Sequence, residues 1–353
     1  MKLFLKFFLI LFLINTGCGL KPQPEPLPLS VHSNLNLLQE NPQFVMYLNF
    51  KTMRRTEFWK KNISDTLLNA EKTFGSLLNT FKLATGASVS DGLDELYYSN
   101  SWFGENAIVL KGIFDRNKLD DFLKNDTVFS ITKNADGTNI YIKNDNGLYF
   151  FFKNDFTICA SNYLKQIDIM MVTRDTSVAG LLLNKTVYDA IQNIIYKGDL
   201  WMVSTEKVFI RGIFQNFVNT TSDSGLPGND SLNSSSEEIN DSTLSDEKLT
   251  INNLYQRLNA ILFSAKMSND LKFLVQGECI NDEAAKYLKS ILNGLITVAK
   301  LSSAGKEKSS TVKLFDKLKL ERYDNSVFIE LIVDESNLQE LKKTNLMSEP
   351  EQY

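Results

Sequence analysis

The sequence predicts an α+β protein in which antiparallel sheets pack against helices. Short runs of alternating hydrophobic and polar residues are separated by Asp-Gly, Asn-Gly or Asn-Asp pairs, which suit hairpin turns. Other segments carry apolar residues at three- and four-residue steps, as one-faced helices do. Of the 353 residues, 43% are hydrophobic and 23% are charged. This composition supplies enough apolar side chains for folded cores and excludes wholesale disorder.

The first residues have the pattern of an export signal. Two lysines, Lys2 and Lys6, accompany an apolar run from Phe7 to Ile14. The run is shorter than the about 20 apolar residues that a transmembrane helix needs, and a core helix would show a polar stripe. We therefore expect a signal peptide over residues 1–17.

A cysteine follows this signal. The string Asn15-Thr16-Gly17-Cys18 resembles a bacterial lipobox, in which small residues precede a cysteine whose thiol takes a diacylglycerol. Asn15 departs from the pattern, which prefers Leu at that position. The resemblance implies that Cys18 is lipidated and becomes the first residue of the mature chain; the alternative is a free cysteine inside a conventional signal peptide. Gly19 stands where some bacteria use Asp to retain lipoproteins at the inner membrane, which favours the outer membrane if the host has one.

Residues 18–41 are expected to form a lipidated, Pro-rich tether. Four of the seven prolines occur at alternate positions within residues 21–28. Alternating prolines favour extended polyproline II and exclude helix. Such a spacer would hold a folded body away from a membrane; the alternative is an unstructured leader.

The first α+β unit is expected over residues 42–218. Period-two patterns predict its strands, and tight-turn pairs connect four of them into a meander. Asp115 is the expected N-cap of a short helix. The predicted strands are 42–50, 107–114, 128–133, 140–143, 148–153, 156–161 and 200–204. The predicted helices are 67–81, one after Asp115, 163–171 and 188–195.

The chain then changes character. Residues 219–249 are rich in Ser and Asn and carry no large apolar stretch, and no Lys or Arg occurs from 219 to 247. Such a segment cannot offset its ordering entropy by burial, so we predict a disordered acidic linker. A second α+β unit is expected over 250–346, before a tail at 347–353. Its predicted strands are 260–267, 271–279, 317–323 and 327–333, and its helices span 284–298 and begin again near 337.

Two predicted strand–helix junctions share a local sequence. Residues 112–124 align without gaps to residues 277–289, with Gly, Leu and Lys identical and Phe122 opposite Tyr287. In both places a strand ends and a capped helix begins. This match is the basis of a hypothesis of two duplicated units; the alternative is two unrelated junctions.

One further similarity is in layout. The strings Val45–Phe50 and Arg54–Trp59 resemble the opening of a group of exported bacterial proteins of unknown function. Members of that group often carry lipoprotein signals and repeated strand–helix units. The resemblance implies an envelope lipoprotein, and it brings no functional residue with it because it contains no catalytic motif.

Few groups suit catalysis at neutral pH. His32 is the single histidine and precedes the first predicted core strand, so we interpret it as a solvated leader residue and expect neither a hydrolase triad nor a His-based metal site. The sequence contains no phosphate loop, dinucleotide fingerprint or nucleophile elbow. We expect no cofactor and no metal. The net charge of −4 argues against nucleic acid as a partner.

Two cysteines remain after Cys18. Cys159 and Cys279 lie in predicted strands among apolar neighbours. We expect two unpaired buried thiols that behave as small hydrophobic groups; the alternative is a disulfide, which an exported protein could form.

A basic cluster surrounds Phe58 and Trp59. We interpret it as the solvated face at a helix start, because the acids Glu57 and Asp65 interrupt it. The alternative is a patch that contacts lipid headgroups. The basic members are Arg54, Arg55, Lys60 and Lys61.

Together these observations predict a membrane-anchored envelope lipoprotein with a non-catalytic binding or scaffolding role. The alternatives are a carrier of an apolar ligand held between sheet and helices, or a carboxylate-based enzyme acting on the cell envelope. The expected partners are the membrane, through Cys18, and an unknown envelope protein or apolar ligand. A deep apolar pocket favours the carrier, whereas a filled core favours the scaffold.

Overall fold

The computed structural model describes residues 21–63, 81–145, 147–213, 254–302, 314 and 316–343. It confirms the predicted α+β class: the strands of the described residues form one antiparallel sheet with helices against both faces. The predicted signal peptide, Cys18, the 219–249 linker and the 347–353 tail lie outside the described residues, as does all of the predicted helix 67–81 except Phe81.

Most elements of the described chain agree with the predicted hairpins and one-faced helices, but β2, α1 and α2 are not among the predicted elements. The strands are β1 (Phe44–Asn49), β2 (Leu93–Asn100), β3 (Asn106–Gly112), β4 (Phe129–Lys133), β5 (Asn139–Lys143), β6 (Leu148–Asn154), β7 (Thr157–Ser161), β8 (Leu200–Ser204), β9 (Leu258–Met267), β10 (Leu271–Cys279), β11 (Lys319–Tyr323) and β12 (Ser326–Val333). The helices are α1 (Leu29–Leu35), α2 (Phe50–Met53), α3 (Glu57–Asn62), α4 (Arg116–Asn125), α5 (Leu164–Val172), α6 (Lys185–Gln192), α7 (Asp282–Ser302) and α8 (Glu335–Lys343).

Local sequence explains several of these boundaries. The Asp115 side chain accepts a hydrogen bond from the Lys118 backbone N–H, which is the predicted N-cap of α4. Gly137 has φ +86° in the turn between β4 and β5, a conformation that glycine adopts without steric cost. The Asp-Gly and Asn-Gly pairs therefore mark the hairpins for a steric reason.

The sheet does not divide at the predicted linker. Its strand order is β11-β12-β10-β9-β8-β1-β2-β3-β7-β6-β5-β4. β8 of the first predicted unit pairs with β9 of the second, with Met202 opposite Phe263. Ala260 and Leu262 of β9 share a core with Val45 and Tyr47 of β1. The two predicted units thus contribute strands to a single sheet and side chains to a common core.

The strand order also shows an internal repeat. On one side of the central β1–β8 pair the strand order is β2, β3, β7, β6, and on the other side it is β9, β10, β12, β11. Each half thus begins with a hairpin, continues with a strand that pairs onto it, and then has the hairpin partner of that strand. A helix follows the first hairpin in each half, α4 or α7. If Gly112 and Gly277 occupy equivalent positions in the two halves, the strand registers make Tyr47 of β1 and Trp201 of β8 equivalent too. These two residues are paired with each other at the centre of the sheet. β4 and β5 extend the first half beyond this common pattern.

Each face of the sheet carries its own helices. On one face, α1, α5 and α6 cover the central strands and form the largest core, around Tyr47, Tyr97 and Trp201. On the other face, α4 covers the first half with Leu119 and Leu123, and α7 covers the second half. None of the described helices combines the length and hydropathy needed to cross a bilayer.

The predicted tether needs correction where it is described. Residues 29–38 belong to the body, because α1 and the turn after it insert Val31, Leu35, Leu37 and Leu38 into the central core, each at most 2% exposed. The prolines end before this segment, and Pro28, with φ −59° and ψ 140°, immediately precedes α1. The extended, Pro-rich pattern therefore ends at Pro28, and the apolar residues at 31, 35 and 38 have helical spacing.

Candidate functional site

An apolar cavity lies between α7 and the second half of the sheet. Its volume is about 250 Å³. The floor comes from β9, β10 and β12, and the roof comes from α7. The lining residues are Ile213, Leu258, Ile261, Val275, Gln276, Gly277, Leu288, Leu292, Val327 and Ile329. Gln276 has the one polar side chain among these described lining residues. The cavity therefore suits a hydrocarbon group rather than a charged one.

Gly277 leaves the space at the centre of this floor. A Cβ added there would lie 3.0 Å from Leu288 Cδ2 and 3.4 Å from Leu258 Cδ2. Neighbouring positions on the same face carry Ile261 and Val327, which pair directly with Gly277. The missing side chain therefore creates a gap beneath α7 that larger neighbours surround.

A second depression lies beside α4. It has a volume of about 560 Å³, but it is an open surface hollow. Its walls include Lys118, Asp121, Asn125 and Asp126 alongside Phe122. A wide hollow with ionic walls leaves a ligand largely in water, so the smaller α7 cavity is the better binding site.

Neither remaining cysteine is placed among the described lining residues of the cavity, although Cys279 packs beside its wall, opposite Leu258. Cys159 in β7 and Cys279 in β10 are both free and buried, which confirms two unpaired thiols. Burial raises the pKa of each thiol to about 12. Because the thiolate is the reactive form, neither cysteine suits nucleophilic catalysis at neutral pH.

The solvated-leader interpretation of His32 is wrong. His32 lies in α1, and its ring meets the ring of Tyr188 edge to face, with centroids 5.8 Å apart. The nearby Ser33 hydroxyl donates to the Ser30 carbonyl, so it is engaged within the helix. Among the described residues there is no group of three or more His, Cys, Asp or Glu side chains placed to hold a metal ion.

The lysines of the basic cluster at α3 form a solvated, ion-paired face, as interpreted from the sequence, whereas Arg54 is mostly buried. Arg54 donates to the Val89 and Leu93 carbonyls and forms an ion pair with Asp94 at 2.7 Å. Phe58 is 1% exposed and packs against Val333 and Leu338. The cations are further engaged in the pairs Lys60–Glu57 and Lys61–Glu335.

Sequence reasoning missed the contacts of residues 21–28, which we call the N-terminal strap. Glu25 is the centre of these contacts: its N–H donates to the Ile195 carbonyl, and its carboxylate pairs with Lys266 at 2.7 Å. Lys197, which is 1% exposed, donates its Nζ to the Glu25 carbonyl at 2.5 Å and to the Gln192 carbonyl at 2.8 Å. Burial lowers the pKa of Lys197 to about 8. The strap is thus fixed to the body.

Comparisons with known proteins give similarity in structure alone. No family model matches the chain, and no curated protein matches it in sequence. Crystal form III of TP0453 superposes with a TM-score of 0.45 at 9% identity, covering 89% of this chain and 97% of that one. Crystal form I of TP0453 gives a TM-score of 0.45 at 9% identity and covers 93% and 99% of the two chains. Crystal form IV gives 0.44 at 7% identity, with coverage of 89% and 96%.

Proposed function

We propose that this chain is an envelope lipoprotein, acylated at Cys18, that binds an apolar ligand in the α7 cavity without catalysing a reaction. The cavity carries the proposal, because it is a gap of about 250 Å³ between a helix and a sheet with almost wholly apolar walls. A pure scaffold would need no such gap, and close packing is the norm for protein interiors. The volume is slightly below the about 300 Å³ at which small-molecule pockets usually begin, so a single hydrocarbon chain fits better than a bulky ring system.

The composition of the described cavity lining supports binding rather than catalysis. A general acid or base needs a side chain within hydrogen-bond reach of the reacting atom. The cavity lining contains no Asp, Glu, Lys, His or Cys among the described residues. A ligand in this cavity would contact methyl and methylene groups, so its polar end would point toward solvent.

Filling the cavity should abolish ligand binding. Gly277→Val adds an isopropyl group beneath Leu288, where the added Cβ alone would lie 3.0 Å from Leu288 Cδ2. We expect the affinity for cis-parinaric acid, a fluorescent fatty acid, to fall by about tenfold or more through lost contact and lost space. Binding is measured by fluorescence titration of the full chain.

Gly294→Ala is the control. Gly294 lies in α7 itself, and a Cβ added there would have no atom within 4 Å. It should bind the probe as the unchanged chain does. Wild-type affinity in Gly277→Val, with its fold intact by circular dichroism, would contradict a ligand site in this cavity.

Replacing Cys18 should release the protein from the membrane. Cys18→Ser removes the thiol that the lipobox-like string would present for acylation, and with it the two acyl chains of a diacylglycerol, which is the number that stable anchoring needs. We expect the protein to move from the membrane fraction to the soluble fraction and to lose the mass of the lipid group. An unchanged membrane fraction and unchanged mass would show that Cys18 is not the anchor.

A further inference from the structure

Six of the exposed large apolar side chains lie at one end of the sheet. This end, which we call the Trp102 end, is where β2 turns into β3. Because all neighbouring strands are antiparallel, β7 and β8 also finish there, as do β10 and its loop into α7. The exposed residues at this end are Trp102 (47%), Phe103 (91%), Tyr163 (40%), Leu164 (45%), Val208 (59%) and Ile280 (41%).

The β2–β3 turn itself does not require aromatic residues. Gly104 donates its N–H to the Ser101 carbonyl at 3.1 Å and has φ +74°, so glycine closes the turn. Trp102 and Phe103 occupy its two central positions, where small polar residues serve equally well. The geometry of the turn therefore does not explain why two aromatic side chains are exposed to solvent there.

The turn is held rigidly in this exposed position. Asn162, just after β7, donates to the Gly104 carbonyl at 2.9 Å and accepts from the Asn106 N–H at 2.7 Å. The Trp102 indole N–H donates to the Glu206 carboxylate at 3.2 Å. Two neighbouring strand ends thus fix the tip, so the aromatic pair projects from a preorganised surface.

The chain also enters the body at this end. The Lys21 ammonium donates to the Ser326 hydroxyl at 3.0 Å, and Ser326 begins β12 opposite Glu278 of β10. Cys18 precedes Lys21 by three residues, which span at most about 10 Å of extended chain. Because the strap is fixed to the body, an anchor at Cys18 would keep this end close to the membrane. Lys21 and the β2–β3 turn are separated by about five strand spacings, about 25 Å, along one end of the sheet.

We propose that the Trp102 end rests on the lipid bilayer, with Trp102 and Phe103 entering the interfacial layer. Indole and phenol rings are enriched at the level of lipid headgroups, where one edge is apolar and the other can hydrogen-bond. Trp102 and Tyr163 provide such rings, and Phe103 and Leu164 provide purely apolar contact. The bilayer, rather than a protein partner, is the occupant because the anchor and the exposed aromatic residues meet at the same end. This inference rests on the exposed side chains and on the anchor at Cys18 of the proposed function, which selects the bilayer as the occupant.

The opposite end of the sheet supplies a matched control. Phe156 lies there in the β6–β7 turn and is 62% exposed. The other two tryptophans do not lie at the surface of the Trp102 end. Trp201 is 0% exposed. Trp59 lies in α3, which is at the opposite end because the Phe58 N–H donates to the Ser268 carbonyl in the β9–β10 turn.

The test is tryptophan quenching by lipid. The full chain is extracted from cells with detergent and reconstituted into phosphatidylcholine vesicles, with or without bromine atoms on the acyl chains. We expect brominated vesicles to quench the tryptophan emission of the unchanged chain, and Trp102→Phe to lose most of that quenching. Moving the indole with the double substitution Trp102→Phe and Phe156→Trp should not restore it.

Three results would overturn the proposal. The first is that the unchanged chain does not float with the vesicles or is not quenched by them. The second is that Trp102→Phe is quenched as strongly as the unchanged chain. The third is that the double variant is quenched as strongly as the unchanged chain. Absence of quenching would assign the exposed aromatic residues to a protein partner instead. Ligand binding in the α7 cavity is measured separately with cis-parinaric acid and acylation with Cys18→Ser, so failure of either part of the proposed function is distinguishable from failure of this inference.

Discussion

Replacing Leu35 or Leu38 by alanine should destabilise the whole body by about 3 kcal/mol each, because both side chains are 0% exposed in the central core and truncating a buried leucine leaves a cavity. A domain's total stability is about 5–15 kcal/mol, so the double substitution should leave much of the protein unfolded at physiological temperature. The measurement is urea unfolding followed by circular dichroism.

Leu29 provides the matched control within the same helix. It is 88% exposed, so Leu29→Ala should change the free energy of unfolding by less than about 0.5 kcal/mol. A chain beginning at residue 42 should fail to fold, because it lacks α1 and the turn after it. If that shortened chain folds with the stability of the full one, residues 29–38 are a dispensable leader and the assignment of α1 to the core is wrong.

Gly112→Ala should be the most damaging methyl addition among the glycines of the sheet. A Cβ at Gly112 would lie 2.2 Å from the Gly92 carbonyl oxygen and 3.1 Å from Leu93 Cα, both backbone atoms. The Gly92 carbonyl accepts from the Ile113 N–H at 2.8 Å, so relief of the clash disturbs the end of β3. We expect a loss of about 3 kcal/mol, the upper range for an overpacked site, measured as a fall in melting temperature.

Gly277→Ala is the internal comparison, because Gly277 is the counterpart of Gly112 in the repeat. Its added Cβ would meet the end of the Leu288 side chain at 3.0 Å, beside a cavity into which that side chain can move. We expect a change of less than about 1 kcal/mol. Equal losses at the two glycines would show that the cavity does not absorb the added methyl group.

Features that depend on neighbouring residues were predictable from the sequence. The hairpins of β4 to β7 follow from Asp136-Gly137 and the turns after it, since positive φ is a local steric requirement. The Asp115 cap and the start of α4 follow from a hydrogen bond over three residues. The burial of Cys159 and Cys279 follows from apolar neighbours in strands.

Features that depend on residues far apart in the chain were not. The Pro-rich pattern of 21–28 gives no sign that Glu25 contacts Lys197, 172 residues away. Nor does the acidic stretch at 219–249 show that β8 and β9 pair in one sheet, because strand pairing across a long connection depends on which edges are free.

The sequence by itself determined the α+β class, the hairpins and the Asp115 helix cap. Only the tertiary structure decided that α1 belongs to the core, that two repeats share one sheet, and that Gly277 leaves a cavity beneath α7. It alone placed Trp102, Phe103 and the entry of the chain at one end. The physical reason is range: φ preferences and side-chain periodicity act over a few residues, whereas cavities and surfaces arise where distant segments pack together.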